Sequence, residues 1–277
     1  MALPSHATTG ERLARMGLRL AAGFGFAFLL VPILVIIPIS FSAGSFLNYP
    51  LPGLSLQWYE AALVPYPWLS SFRNSLIIGA ATTVLATALG TLAAVGLHGL
   101  KVRGKALITA FLISPMVVPL VITALALYFF FAGLQLLGTF TAMILAHTVL
   151  ATPFVIITVS ATLQGFDGNL VRAAQSLGAG RWEAFRSVTL PLIMPGVASG
   201  AIFAFVTSFD EIVVALFIAS PEQFTLPRQL FSGLRDQLDP SIVAVAVMLI
   251  GLSTLLLGTI ELLRWRSERL RARPAEE

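Results

Sequence analysis

Six stretches of this chain are apolar for longer than one turn of a soluble core can use: about 20–41, 72–97, 106–132, 137–163, 192–219 and 242–263. Each reaches the ~20 residues that a helix needs to cross a hydrocarbon layer ~30 Å thick. Lipid offers the backbone no partners, so such runs must satisfy their own N–H and C=O groups as helices. Composition agrees, with 57% hydrophobic residues, 11% charged residues and a mean hydropathy of +0.90. The expected fold is therefore all-α: a polytopic membrane protein whose six transmembrane helices form a single domain over 1–277, with no soluble domain and no internal repeat. The chain has no cysteine, which excludes disulfides, thiol catalysis and Cys-ligated metal sites.

The first run follows a basic start, Arg12, Arg15 and Arg19, as a signal peptide would. A signal peptide's apolar region is only ~7–15 residues, so this longer run reads as a retained anchor, with Pro32 and Pro38 free to bend it. Residues 42–70 carry Tyr49, Trp58, Tyr59, Tyr66 and Trp68, several prolines and no Lys or Arg, the composition of an interfacial aromatic belt with a short surface helix.

The cations set the orientation. Arg12, Arg15, Arg19, Lys101, Arg103, Lys105, Arg172, Arg181, Arg186, Arg264, Arg266, Arg269, Arg271 and Arg273 fall on one side of the six spans, and of the 17 only Arg73, Arg228 and Arg235 fall on the other. Positive residues mark the cytoplasmic side, so both termini and the loop 164–191 are expected there. The net charge of +4 is thus a topology signal, and no nucleic-acid partner is expected.

Chemistry-bearing motifs are scarce. Gly99 to Lys105 matches the GxxxxGK phosphate loop, but Ala106 stands where a Ser or Thr must hold magnesium, and the segment lies between two apolar runs. Neither HExxH nor GxSxG occurs, and the three histidines (His6, His98, His147) are scattered. No catalytic residue, metal site or cofactor site is expected.

The loop 164–191 is the long polar connection in the chain. Ala173 and Ala174 are followed after three residues by Gly178, and nine residues later comes Val188-Thr189-Leu190-Pro191. This reads as two short helices hinged at a glycine and stopped by a proline; an interfacial helix with Leu170, Ala173, Ala174 and Leu177 as its apolar stripe is the plainer reading. The spaced pattern resembles the cytoplasmic coupling motif of ABC importer permeases, Glu-Ala-Ala, three residues, Gly, nine residues, Ile-x-Leu-Pro, with Arg172 in place of the glutamate and Val188 in place of the isoleucine. A second segment, FAFVTSFDEIVVALFIASPEQFTLPRQLFSGLRDQLDP over 203–240, resembles the fifth span and outer loop of permeases of the spermidine/putrescine (polyamine and opine) branch, as their second, C-type subunit.

The resemblance implies the type I ABC importer permease fold, in a bacterial inner membrane. It also implies a heteromeric assembly with a second homologous permease, a pair of ATPase subunits that bind ATP and magnesium, and an extracytoplasmic substrate-binding protein. Arg172, Ala173, Ala174, Gly178, Trp182, Phe185, Leu190 and Pro191 are the coupling residues it implies, with Trp182, Phe185 and Val188 at helical spacing for docking.

Asp210 and Glu211 are expected within the fifth span, about 27 Å from Leu192 at ~1.5 Å per residue. A carboxylate facing lipid costs ~2.5 kcal/mol or more, so the pair should face a bundle interior or a wet cavity. Thr207 shares a face with both, and the three form the expected substrate path, one acid meeting the cargo and the other pairing with Arg228, Arg235 or the second permease. Glu60, Glu222, Asp236 and Asp239 make the outer side acidic, which suits a cationic amine. Permeases for opines, phosphonate or other small solutes, and a secondary transporter, are the competing readings, and a polar helix contact is the competing use of the acids.

Overall fold

The computed structural model describes residues 9–100, 102–236 and 240–271, and side chains there other than those of 9, 11, 12, 65, 236, 256, 257 and 259–271. Lys101, Asp239 and Arg273 lie outside the described residues, as do the side chains of Arg12, Asp236, Arg264, Arg266, Arg269 and Arg271. The described chain is helical, with a lone bridge, Ser42 to Leu54, as its extended pairing.

Two compact units emerge, one from residues 1–64 and 233–277 and the other from 65–232. In the first, α1 (Thr9–Ser40) and the short α2 (Gln57–Ala62) both meet α12 (Ser241–Arg271). Trp58 and Gln57 donate to the carbonyl oxygens of Ser42 and Ala43, and Tyr59 and Ser40 share a hydroxyl hydrogen bond of 2.6 Å, so the aromatic belt residues pin α2 to the end of α1.

In the second unit, α3 (Ser70–Gly99), α6 (Phe140–Gln164) and α9 (Leu190–Phe209) pack against one another. Their shared interior is made of small residues. On α9 the buried positions are Ile193, Gly196, Gly200, Ala204 and Ser208, and α3 buries Thr82, Ala86, Gly90 and Ala94. Large apolar side chains such as Leu89, Leu92, Ile202 and Phe203 point outward instead. This is the arrangement lipid favours, because tails solvate Leu and Phe as well as protein does and association rests on close backbone approach.

Among the described residues, four helices are long and apolar enough to span a membrane: Leu13–Ser40, Tyr66–Gly99, Phe140–Gln164 and Arg181–Phe209. α12 is apolar over Ser241–Leu255. Two expected spans differ in form. The run 106–132 is not one rod but α4 (Lys105–Val117) and α5 (Leu120–Gly133), bent by 100°. Pro119 lacks the N–H that would continue the ladder, and Val118 before it is extended (φ −68°, ψ 135°), as residues preceding proline prefer. The run 192–219 likewise breaks: α9 ends at Phe209, and α10 (Val213–Ile218) begins after three residues.

Candidate functional site

The acidic pair lies in that second break, not within a continuous helix as its sequence setting implies. Asp210 closes α9, its N–H bonding to Val206 O at 3.0 Å. Ile212 leaves the helical range at φ −120°, and α10 starts at Val213. A new helix start exposes amides that need acceptors, and Glu211 supplies them. Its Oε1 accepts from Val214 N at 2.9 Å and its Oε2 from Ala215 N at 3.1 Å.

α10 is seated by its surroundings. Val214, Ala215 and Ile218 join a core with Ile78, Ala124 and Met143. Beyond it, Asn74 Nδ2 donates to the carbonyl oxygens of Glu222 and Phe224 (2.9 and 3.1 Å), and Ser75 Oγ accepts from Leu226 N at 2.8 Å. These bonds tie the returning segment to α3. It leads into α11 (Leu226–Asp236), where the Arg228 guanidinium lies 4.2 Å from the Phe224 ring centre.

The two acids thus have different environments. Glu211 is 6% exposed with both carboxylate oxygens engaged, whereas the Asp210 side chain is exposed. A cleft of about 490 Å³ opens between the α4–α5 bend, α6 and the α9 break. Its walls are apolar, from Pro115, Met116, Leu150, Phe154 and Val206 among others, except for Thr207, Asp210 and Glu211. Thr207 and Asp210 both line the cleft. Glu211 forms part of the wall, with the α10 amides rather than Arg228 or Arg235 as its hydrogen-bond partners, and His147 Nε2 lies 3.7 Å from Glu211 Oε2. His147 and Ser208, which the sequence reading left out of the site, are joined by a 2.8 Å hydrogen bond between Nδ1 and Oγ. An ionisable ring inside an apolar span is itself the signal that marks such a position.

At the other end of α9, the loop folds into α7 (Asn169–Ser176), α8 (Arg181–Ala184) and a π-helical turn over Phe185–Thr189 that runs directly into α9. The end of α7 is a Schellman motif: Gly178 N bonds to Gln175 O at 3.0 Å, Ala179 N bonds to Ala174 O at 3.1 Å, and Gly178 has φ +94°. α7 buries none of its residues. Leu177 is 90% exposed and Trp182 is 71% exposed, and the Trp182 ring stacks on half-buried Phe185 with centres 5.5 Å apart. Ala173 is exposed and Ala174 half-buried, while Leu190 is half-buried and Pro191 exposed where α9 begins. Arg172 is exposed and its guanidinium donates to Asn169 Oδ1.

Residues 86–267 match the family model described as the inner membrane component of binding-protein-dependent transport systems. The chain is 31% identical over 253 residues to the spermidine/putrescine transport system permease protein PotC of Escherichia coli K12, covering 91% of this chain and 94% of PotC. It is 33% identical over 261 residues to the putrescine transport system permease protein PotI of the same strain, covering 90% and 91%. A crystal structure of a bacterial ABC transporter that imports the acidic polysaccharide alginate superposes with a TM-score of 0.73 at 15% identity, over 95% of this chain and 99% of that one, which establishes a shared fold. The all-α helices, the loop that enters α9 and the matched span together show that this chain belongs to the inner-membrane permeases of binding-protein-dependent ABC importers.

Proposed function

We propose that the chain carries a small cationic amine of the polyamine class across a bacterial inner membrane, with both termini and the loop 164–191 in the cytoplasm. The observation that carries this reading is the cleft, where Asp210 is the one exposed carboxylate in an otherwise apolar wall and Thr207 lies beside it. An apolar wall suits the methylene chain of a polyamine, and a carboxylate in a site with little water attracts an ammonium group strongly. That PotC and PotI are named for spermidine and putrescine supports the same class.

In this reading a second homologous permease completes the path, a binding protein delivers cargo from outside, and a pair of separate ATPase subunits binds ATP and magnesium. The loop is the lever. Leu177, Trp182 and the ring of Phe185 offer an apolar surface whose exposure to water is costly unless something covers it, and the helical run from Arg181 to Phe209 passes motion at that surface to the cleft without an intervening loop.

Asp210→Asn tests the cargo site. In proteoliposomes holding the assembled importer, putrescine uptake at subsaturating concentration is expected to fall at least tenfold, or ~1.4 kcal/mol, with assembly unchanged. Wild-type uptake would remove Asp210 from the path. Arg172→Glu tests the edge of the lever: with its guanidinium exposed and already held by Asn169, a sign reversal should cost little. The ATPase should therefore co-purify with that variant at undiminished yield, and a reduced yield would place Arg172 in the ATPase contact.

A further inference from the structure

The α9–α10 break is bridged by side chains. Ser208 is in the last turn of α9, Glu211 caps the first turn of α10, and His147 on α6 lies against both. All three are buried, at 3%, 6% and 0% exposed. Such burial of polar groups is costly unless each is matched. Ser208 Oγ and His147 Nδ1 match each other at 2.8 Å, and Glu211 is matched by two amides. His147 Nε2 has no hydrogen bond among the described residues and is 3.7 Å from Glu211 Oε2. The imidazole is thus hydrogen-bonded to Ser208 on one side of the break and packed against the Glu211 carboxylate on the other.

Asp210 stands between the two anchored positions. Ser208 and Glu211 are both turned toward α6, and Phe209 is held by a 5.5 Å stack on Phe205 and an edge contact of 6.5 Å with Phe72. With its neighbours drawn inward, the Asp210 carboxylate is left facing the cleft.

We propose that Ser208, His147 and Glu211 are positioning residues: a strut across the break that holds Asp210 toward the cleft and so sets the affinity for cationic cargo. This rests on the cargo reading above. An apolar trio would fill the same space, but it would leave the amides of Val214 and Ala215 without acceptors and nothing to fix the angle between α9 and α10.

The chain has no cysteine, so Ile212→Cys, at the cleft wall beside Glu211, gives this subunit a single thiol. Its modification by a water-soluble cationic methanethiosulfonate can be followed by the mass of the subunit within the whole importer. With the strut intact the rate is set by the ordered break. Ser208→Ala or Glu211→Ala in that background is expected to raise it at least fivefold, with Glu211→Gln, which keeps one acceptor oxygen, between the two. In the native cysteine-free chain Ser208→Ala should raise the putrescine concentration for half-maximal uptake about tenfold and leave the maximal rate within twofold. Unchanged labelling in complexes assembled at normal yield would overturn the strut. A labelling change with unaltered half-saturation would overturn its role in affinity. If Glu211→Ala fails to assemble, Ser208→Ala, which removes one hydroxyl, decides alone. Labelling at Ile212→Cys does not depend on the cargo, so a normal Asp210→Asn importer would overturn the cargo site and still leave the strut open to this measurement.

Discussion

Gly178→Val is expected to lower substrate-stimulated ATP hydrolysis by the assembled importer at least fivefold while the permease remains inserted at normal yield. Gly178 sits at φ +94°, and both Schellman bonds that close α7 depend on that conformation. A left-handed backbone costs an L-residue roughly 1–2 kcal/mol, and a β-branched side chain is the worst case. Among the described residues, nothing beyond its chain neighbours lies within 4 Å of a Cβ built there, so the penalty is conformational and not a collision. It is relieved by unwinding the end of α7, which tilts Leu177 and displaces the exposed Trp182 face. Because α7 buries no residue, the membrane helices do not depend on it. Gly178→Ala should give an intermediate loss and Gly168→Ala, at φ −63°, none. Full coupling in Gly178→Val would exclude the hinge as the lever's fixed point.

Gly196→Val should act on the bundle itself and abolish the monodisperse permease in detergent. Gly196 is on the inner stripe of α9, where α6 passes so close that a Cβ would lie 2.9 Å from Thr162 Cβ and 3.0 Å from the Thr158 carbonyl oxygen, besides meeting Thr162 Oγ1. A hydroxyl can rotate away, although Thr162 Oγ1 is itself bonded to Thr158 O at 3.1 Å. A backbone carbonyl cannot move without the helix. Overpacking typically costs 1–3 kcal/mol, so about 3 kcal/mol or more is expected where backbone must shift. Size-exclusion profiles and thermal unfolding would show it: Gly196→Ala should lower the melting temperature and Gly196→Val eliminate the folded peak. A wild-type melting temperature for Gly196→Val would mean that α6 and α9 are not in this contact.

Much of this molecule is legible in local sequence. Runs long enough to cross lipid must be helices whatever their neighbours are, and the spacing of Ala173, Ala174 and Gly178 predicts two short helices hinged at a glycine. The side on which cations accumulate likewise needs no contact information. The two breaks were less accessible. Pro115 and Pro119 are both in the third run, yet α4 carries Pro115 inside it and the chain turns at Pro119. Each proline removes one donor, and only the surrounding packing selects which loss becomes a bend. At the second break, the adjacent acids marked a polar point in an apolar run, but nothing local distinguished the one that faces the cleft from the one that caps a helix.

The sequence by itself determined that the chain is helical, that it lives in lipid and which of its loops is polar and hinged, because each follows from hydrocarbon thickness, backbone self-satisfaction and single-residue conformational limits. Tertiary structure decided which faces of α3, α6 and α9 meet, that His147 and Ser208 belong with Glu211, and that Asp210 is left to the cleft. The reason is physical: lipid and protein interior are both apolar, so hydrophobic periodicity does not mark an inner face. That face is chosen by close packing of small residues and by buried hydrogen bonds between residues as far apart in the chain as 147 and 208.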